Sequence, residues 1–174
     1  MALVIFLRGV NVGGYRTFRP SLLANQLKDY HVVNIGAAGT FVVCKPPGER
    51  RLRSELLRRL PFQTEMITCT GQELIAAVST NPFEGEVQSP DIVRFVTVLA
   101  KQPQVFPSMP ICVPGEDEWF LQILSRQAKF LFGVYRRHMK TISYLRSIDK
   151  LVGGLTTTRN WNTIKAIVKV LEKK

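Results

Sequence analysis

Apolar residues in the first 70 positions alternate between runs typical of strands and stripes typical of amphipathic helices. Residues 1–7 are almost wholly apolar and rich in β-formers, which predicts a strand buried on both faces. Apolar side chains at helical spacing predict helices over residues 19–30 and 48–60. Short β-branched runs predict three further strands, at residues 32–35, 40–44 and 65–69. The predicted order is β-α-β-β-α-β, the split βαβ or ferredoxin-like unit.

The pattern changes at residues 84–91, which are mostly polar or structure-breaking and predict a linker. A short helix that begins with the capping-box spacing of Thr70 and Glu73 should precede this linker. We therefore predict a first domain over residues 1–84, which includes the linking helix, and a second domain over 85–174. The second domain should contain a strand at 92–99, a Pro-rich non-helical segment at 102–114, a hairpin at 119–135, a helix at 142–152, a strand at 155–158 and a final helix.

Composition indicates a globular chain whose charge is unevenly distributed. The 174 residues are 45% hydrophobic, which is enough apolar material for a packed core, and the formal net charge is +11. Nearly all of the excess lies in residues 126–174, which contain twelve Lys or Arg and two Asp or Glu. Clustered cations favour a polyanion such as a nucleic acid, because binding releases counterions from phosphates. The alternative is a solvated surface without a partner.

Several classes of chemistry lack the residues that they need. No apolar run approaches the roughly 20 residues that span a bilayer, and the first residues lack a secretory signal, so we expect a cytoplasmic protein with no membrane partner. Cys44, Cys69 and Cys112 are odd in number and widely spaced, which argues against a disulfide framework or a zinc site. No Asp or Glu stands at a sequence spacing from His31 or His138 that indicates a metal site or a catalytic triad. We therefore expect no metal, no cofactor and no nucleophilic triad.

The glycine loop at residues 9–14 is the first candidate site, since it directly follows the predicted N-terminal strand. Gly9 and Gly14 have the spacing of a phosphate-binding loop, but Tyr15-Arg16 occupies the place of its Lys-Ser/Thr pair, which excludes a Walker-type site. The backbone N–H groups can still face an anion. The alternative is a turn that needs glycine at positive φ. The residues predicted to bind an anion here are Arg8, Asn11, Gly13 and Gly14.

The second candidate site is the start of the last predicted helix, in the motif Arg159-Asn160-Trp161-Asn162-Thr163. Asn160 is a suitable N-cap, and we interpret Trp161 as a packing anchor. A helix N-terminus beside an arginine favours anions, because unpaired N–H groups and the helix dipole carry positive charge there. We predict that Arg159, Asn160 and Asn162 bind the ligand, and that Arg159 converges with Arg8 on one pocket. The alternative is that Arg159 pairs with a carboxylate or with carbonyls across the domain interface.

Two motifs at opposite ends of the chain also carry a resemblance: residues 7–14 read Leu-Arg-Gly-Val-Asn-Val-Gly-Gly, and residues 158–163 read Thr-Arg-Asn-Trp-Asn-Thr. They resemble the Leu-Arg-Gly-Ile-Asn-Val-Gly-Gly and Ala-Arg-Asn-Trp-Asn-Thr motifs of the bacterial proteins grouped as domain of unknown function 1697. Asn81-Pro82-Phe83 stands where that family tends to carry it. Ala38-Gly39-Thr40 departs from the family's Ser-Gly-Asn and lacks its two polar side chains. The resemblance implies an α+β fold of two tandem ferredoxin-like (α/β plait) domains and no established activity.

Three functions follow from these observations as hypotheses. The leading one is a binding protein for a small anionic or phosphorylated ligand, held by the glycine loop and the start of the last helix. The second is a nucleic-acid-binding module that uses the basic C-terminal region, including Arg136, Arg137 and Lys140. The third is an enzyme that acts on a phosphorylated substrate without a recognisable nucleophile. Phe130 and Phe132 share one strand face, which we interpret as core rather than as a platform for stacked bases.

Overall fold

The computed structural model describes residues 1–86 and 88–173 of the chain. Val87, in the predicted linker, and Lys174, in the predicted second domain, lie outside the described residues. Within the described ranges the protein is a mixed α+β structure with two antiparallel sheets, which confirms the predicted class. The elements, in chain order, are β1 (Leu3–Leu7), α1 (Pro20–Gln26), β2 (Val32–Asn34), β3 (Thr40–Val43), α2 (Glu49–Arg59), β4 (Met66–Thr70), α3 (Gly71–Val78), β5 (Ile92–Leu99), β6 (Ile111–Pro114), β7 (Trp119–Gln127), β8 (Phe130–Arg136), α4 (Thr141–Arg146), α5 (Ile148–Val152), β9 (Thr156–Asn160) and α6 (Trp161–Glu172).

The chain divides into two compact units. The first unit comprises Met1–Ala76 and the segment from Lys165 onward, and the second comprises Ala77–Ile164. The boundary of these units differs from the predicted linker. A linker composition indicates a surface loop, whereas the extent of a compact unit depends on which side chains pack together. In the first unit, for example, the side chain of Leu171 lies directly against the backbone of Gly71. The prediction that the chain folds as separate domains divided between residues 84 and 85 stays a prediction.

In the first unit, β1 is the central strand of the sheet. The strand order is β2-β3-β1-β4 and all neighbours are antiparallel, so β1 pairs with both β3 and β4. Ile5 and Leu7 belong to a core that also includes buried leucines of α1 and α2. Val4 and Phe6, on the opposite face of β1, are buried as well. The strand is therefore buried on both faces, as its uninterrupted apolar sequence predicts.

The sheet of the second unit has the order β6-β7-β8-β5-β9, and its neighbours are again antiparallel. The predicted hairpin is confirmed as β7 and β8. No helix joins β5 to β6 in the part of the chain that the structure describes, so this unit departs from the β-α-β-β-α-β order. The cause is local, because the four prolines of residues 102–114 remove backbone donors and exclude a helix. The segment ends instead in β6, an edge strand, where a proline is tolerated.

Two predicted helices are shorter than expected. The first ends at Gln26, and a separate 3-10 turn at Lys28–Tyr30 occupies the rest of the predicted span. The helix predicted over residues 142–152 is divided into α4 and α5 at Ser147. The Ser147 hydroxyl donates to the Tyr144 carbonyl at 2.8 Å, a local side-chain bond that competes with the helical pattern.

The second sheet also contains a close contact that requires glycine. Phe130 and Phe132 of β8 are 1% and 0% exposed, which confirms their interpretation as core residues. Between β5 and β8, Phe95 is paired with Gly133. A Cβ atom built on Gly133 would lie 2.4 Å from Cζ of Phe95 and 2.4 Å from the carbonyl oxygen of Gln122. Glycine is therefore required here by the approach of a neighbouring ring and backbone, and not by a positive φ.

We predict that Gly133→Ala lowers the free energy of unfolding by about 1–3 kcal/mol, because the added methyl group overpacks the space that Phe95 fills. Gly115→Ala is the matched control, since a Cβ atom there meets no atom within 4 Å. The control should change stability by less than about 1 kcal/mol. Urea unfolding followed by circular dichroism measures both variants, and equal midpoints would contradict the packing described here.

Candidate functional site

The glycine loop after β1 forms a tight, exposed hairpin. The Tyr15 N–H donates to the Val12 carbonyl at 3.0 Å, and the two residues also form an antiparallel bridge. Between them Gly13 and Gly14 have φ values of 57° and 75°. Two consecutive positive φ angles at the centre of a hairpin are the pattern of a type I′ turn, which strongly favours glycine. The glycines are thus explained by the turn, and their predicted contact with an anion stays a prediction.

Asn11 holds this loop together through its side-chain amide. Its Nδ2 donates to the carbonyls of Phe18 at 3.1 Å and Ala37 at 2.7 Å, and its Oδ1 accepts from the Phe18 N–H at 2.9 Å. Asn11 also has a φ of 54°, a left-handed conformation that asparagine tolerates better than most residues. These bonds tie the loop to itself and to the connection between β2 and β3. They give Asn11 a structural role, and its predicted ligand contact remains untested.

Arg8 has a carboxylate partner beside the loop. Its Nη1 lies 2.7 Å from Oε2 of Glu65, and the two side chains are 35% and 55% exposed. The Arg8 carbonyl accepts from the Thr64 hydroxyl at 2.7 Å, which attaches the end of β1 to the segment before β4. An ion pair this exposed contributes little stability, because solvent and salt screen it.

Arg159 is a buried cation near the end of β9. Its residue exposure is 8%, and its Nη1 donates to the Thr157 hydroxyl and to the Thr158 carbonyl, each at 2.8 Å. Burial lowers the pKa of Arg159 to about 10, so the guanidinium is still charged at neutral pH. Arg8 belongs to the first unit and Arg159 to the second. Their predicted convergence on one pocket stays a prediction.

The start of α6 is capped as the sequence predicts. The Asn160 Oδ1 accepts from the Thr163 N–H at 2.8 Å and from the Thr163 hydroxyl at 3.0 Å. This is the N-cap arrangement, in which a side-chain oxygen satisfies an otherwise unpaired helix donor. Asn162 is exposed in the first turn of the helix. The cap accounts for Asn160 without a ligand, whereas the predicted ligand role of both asparagines remains untested.

An aromatic cavity of about 390 Å³ lies in the second unit at the start of α6. Its lining residues are Val78, Asn81, Pro82, Phe83, Glu84, Arg94 and Trp161. It therefore combines the Asn81-Pro82-Phe83 motif with the tryptophan of the C-terminal motif. The ring of Trp161 meets that of Phe83 edge-to-face, with centroids 5.0 Å apart, and Phe132 contacts both rings. Trp161 is thus a packing anchor, as interpreted from the sequence.

Arg94 brings a cation to this cavity. The register of β5 and β9 pairs Phe95 with Asn160, so Arg94 lies beside the first residue of α6. The guanidinium carbon of Arg94 lies 5.3 Å from the centroid of the Phe83 ring, and Nη2 donates to the Glu86 carbonyl at 3.1 Å. Arg94 is not among the site residues predicted from the sequence. The available signal was a single charged side chain within the apolar run of residues 92–99.

The described part of the chain offers little for metal or nucleophilic chemistry. No group of three or more His, Cys, Asp or Glu in residues 1–86 and 88–173 could hold a metal ion. Cys44, Cys69 and Cys112 are free thiols. Over the same ranges, no helix has the length and apolar character needed to cross a membrane. The candidate chemistry is that of guanidinium groups, amides and aromatic rings.

Comparisons with known proteins add a family and a fold. The model of a family described as a protein of unknown function (DUF1697) matches residues 1–111, which include the glycine loop, Asn81-Pro82-Phe83 and Arg94. No curated protein matches the sequence. Among solved structures, the conserved bacterial protein SP0830 from Streptococcus pneumoniae is similar, with 14% identity, a TM-score of 0.62 and 98% of each chain covered. At that identity the similarity shows the fold alone.

We predict that Asn160→Ala lowers the free energy of unfolding by about 1 kcal/mol, because the Thr163 N–H loses its cap. Asn160→Asp should retain most of the stability, since a carboxylate oxygen can accept the same bond. Asn162→Ala is the control and should change stability by no more than about 0.5 kcal/mol, because the side chain is exposed. Thermal unfolding of the three variants gives the comparison, and an Asn162→Ala loss as large as that of Asn160→Ala would argue against the cap.

Proposed function

Because this chain belongs to the DUF1697 family of proteins of unknown function, we propose its function from the geometry of the second unit. The protein binds a small anionic or phosphorylated ligand in the cavity at the start of α6. The observation that carries this proposal is the position of Arg94 in a cavity that aromatic side chains also line. A volume of about 390 Å³ is within the range of small-molecule sites, which are commonly apolar with a few convergent polar groups.

Arg94 is suited to the role of anion ligand. Its planar guanidinium has five N–H donors that match the oxygens of a phosphate or carboxylate. Within the described ranges, Nη2 donates to the Glu86 carbonyl, and the guanidinium carbon lies 5.3 Å from the centroid of the Phe83 ring. A guanidinium fixed in this way loses less conformational entropy on binding than a mobile one. Arg94 is also half-buried, so its charge is screened less than that of an exposed arginine.

The N-terminus of α6 supports the same ligand charge. The helix is 12 residues long, and its first turn contains no acidic residue that would neutralise the dipole. Backbone N–H groups and the helix dipole therefore favour an anion at the end where Trp161 lines the cavity. This part of the proposal retains the predicted contribution of the Arg159–Thr163 motif and adds Arg94 as the cation.

The glycine loop of the first unit remains a separate proposed anion-binding element. Arg8, Gly13 and Gly14 are sufficiently exposed to contact a ligand. However, Arg8 is paired with Glu65, and the Asn11 amide is bonded to backbone carbonyls. An anion at the loop would have to compete with that carboxylate. For this reason the proposal assigns the ligand's charge to Arg94.

We also propose the finer architecture that the sequence predicts. The order β2-β3-β1-β4, with helices in both crossovers, supports a ferredoxin-like plait for the first unit. Strands β7-β8-β5-β9 repeat that spatial order in the second unit, which supports a plait-like domain with an added edge strand. Over the described residues, its first crossover contains no helix. The three free thiols are compatible with a reducing, cytoplasmic compartment.

We predict that Arg94→Gln weakens binding of phenyl phosphate, a probe with one anionic group and one ring, by at least about tenfold, or about 1.4 kcal/mol. Arg94→Lys should weaken it less, because charge is kept while the planar donors are lost. Arg146→Gln is the control, since this exposed arginine of the same unit does not line the cavity. Isothermal titration calorimetry measures the affinities. Equal effects of Arg94→Gln and Arg146→Gln, or no binding to the wild-type protein at millimolar concentrations, would refute the site.

Nucleic-acid binding is a second candidate function because one surface of the second unit combines cations with aromatic rings. Residues 136–140, from the last residue of β8 to the residue before α4, are all exposed. The guanidinium carbon of Arg136 lies 4.1 Å from the Trp119 ring centroid, and Nζ of Lys140 lies 5.5 Å from that of Phe120. Single-stranded nucleic acids bind where cations and stacking groups alternate. The exposed acidic turn at residues 116–118 opposes this function.

If this surface binds nucleic acid, replacing Arg136, Arg137 and Lys140 by Gln should flatten the dependence of affinity on salt. Three lost phosphate contacts correspond to a reduction of about two in the slope of log K against log salt for a single strand. The control replaces Lys165, Lys169 and Lys173 of the C-terminal segment, which removes the same charge from other exposed positions. Fluorescence anisotropy with a labelled oligonucleotide gives the slopes. Tight binding that is indifferent to salt, or equal slopes for both triple variants, would contradict this function.

A further inference from the structure

The cavity at the start of α6 carries charges of both signs. Glu84 and Arg94 are the ionisable residues among those that line it. Arg94 donates to the backbone carbonyl of Glu86, and within residues 1–86 and 88–173 no ion pair joins it to the Glu84 carboxylate. Two residues of opposite charge therefore line one cavity without forming an ion pair with each other.

The backbone holds Glu84 at this position. The Glu84 N–H donates to the Asn81 carbonyl at 2.9 Å, which closes a turn with Pro82 as its second residue. Proline restricts φ in such a turn, and Asn81 has a φ of 50°, a conformation that asparagine tolerates. Phe83, the third residue of the turn, is 6% exposed and packed against Trp161. The carboxylate is thus carried by a turn that is anchored on its neighbouring aromatic ring.

A carboxylate in this place has a consequence for ligand choice. It repels a ligand that is only anionic, and it attracts a ligand that also carries a positive group. The cavity therefore offers complementary surfaces to the two ends of a zwitterion.

We infer that the ligand of this cavity is a small zwitterion, an amine-bearing phosphate or carboxylate. Its anionic group contacts Arg94 and the start of α6, and its ammonium group contacts Glu84. This inference rests on the proposed anion-binding function and specifies its ligand class. Glu84 is then the residue that determines specificity, while Arg94 supplies affinity for either kind of anion.

Two probes of nearly equal size test the inference: 2-aminoethyl phosphate, and propyl phosphate, in which a methyl group replaces the ammonium. The wild-type protein should bind 2-aminoethyl phosphate at least about tenfold more tightly, a difference of about 1.4 kcal/mol. Glu84→Gln should bring the ratio of the two affinities close to one, by weakening the first probe and strengthening the second. Arg94→Gln should weaken both. Glu116→Gln, a change at an exposed carboxylate that does not line the cavity, should leave the wild-type ratio unchanged.

The outcomes separate this inference from the function on which it rests. Equal wild-type affinities for the two probes, both lowered by Arg94→Gln, would overturn the zwitterion and retain the anion site. A wild-type preference that persists in Glu84→Gln would remove Glu84 from recognition and overturn the inference. If neither probe nor phenyl phosphate binds, the anion site fails and the inference fails with it. Calorimetry measures the affinities. Urea unfolding of each variant verifies that the variants compared are folded.

Discussion

The edge-to-face contacts among Phe83, Phe132 and Trp161 are the interaction on which the candidate site depends. Phe132 is a fully buried residue of β8, so the other two rings are positioned against a rigid sheet. Trp161 begins α6, and Phe83 occupies a turn at residues 81–84. The same cluster therefore determines where a helix N-terminus, a cation and a carboxylate surround one cavity. Aromatic pairs in this geometry add about 0.5–1.5 kcal/mol to the stability that burial provides.

The two predicted sites differ in how their polar groups are used. In the glycine loop, the amide of Asn11 bonds to backbone groups of Phe18 and Ala37, and Arg8 pairs with Glu65. Those groups maintain the loop itself. At the cavity, the Arg94 guanidinium is supported by a carbonyl and a ring, which orient it without neutralising its charge. An oriented cation that forms no ion pair with a carboxylate in residues 1–86 and 88–173 is better suited to a ligand than a cation already in an ion pair.

The positive charge of the C-terminal region has structural as well as surface roles. Arg159 is buried and bonded to Thr157 and Thr158, although burial lowers its pKa and opposes its charge. Arg136 donates to the Trp119 carbonyl, and Arg137 donates to the Pro90 carbonyl. Because Arg159 is buried, a count of cations along the chain overstates the charge that a polyanion can reach.

Local patterns in the sequence determined much of the fold: the α+β class, the element order of the first unit, the β7–β8 hairpin and the Asn160 cap. These features depend on residues within a few positions of one another, so periodicity and spacing predict them. Tertiary structure decided which cation lines the candidate cavity. Arg94 lies beside Trp161 only because β5 pairs with β9, and no local signal encodes the register of strands so far apart in the chain. Likewise, the sequence predicts Asn11 as a ligand-binding residue because its side chain is polar and lies in the glycine loop. In the structure its amide bonds to the backbone groups of Phe18 and Ala37, which folding brings beside it.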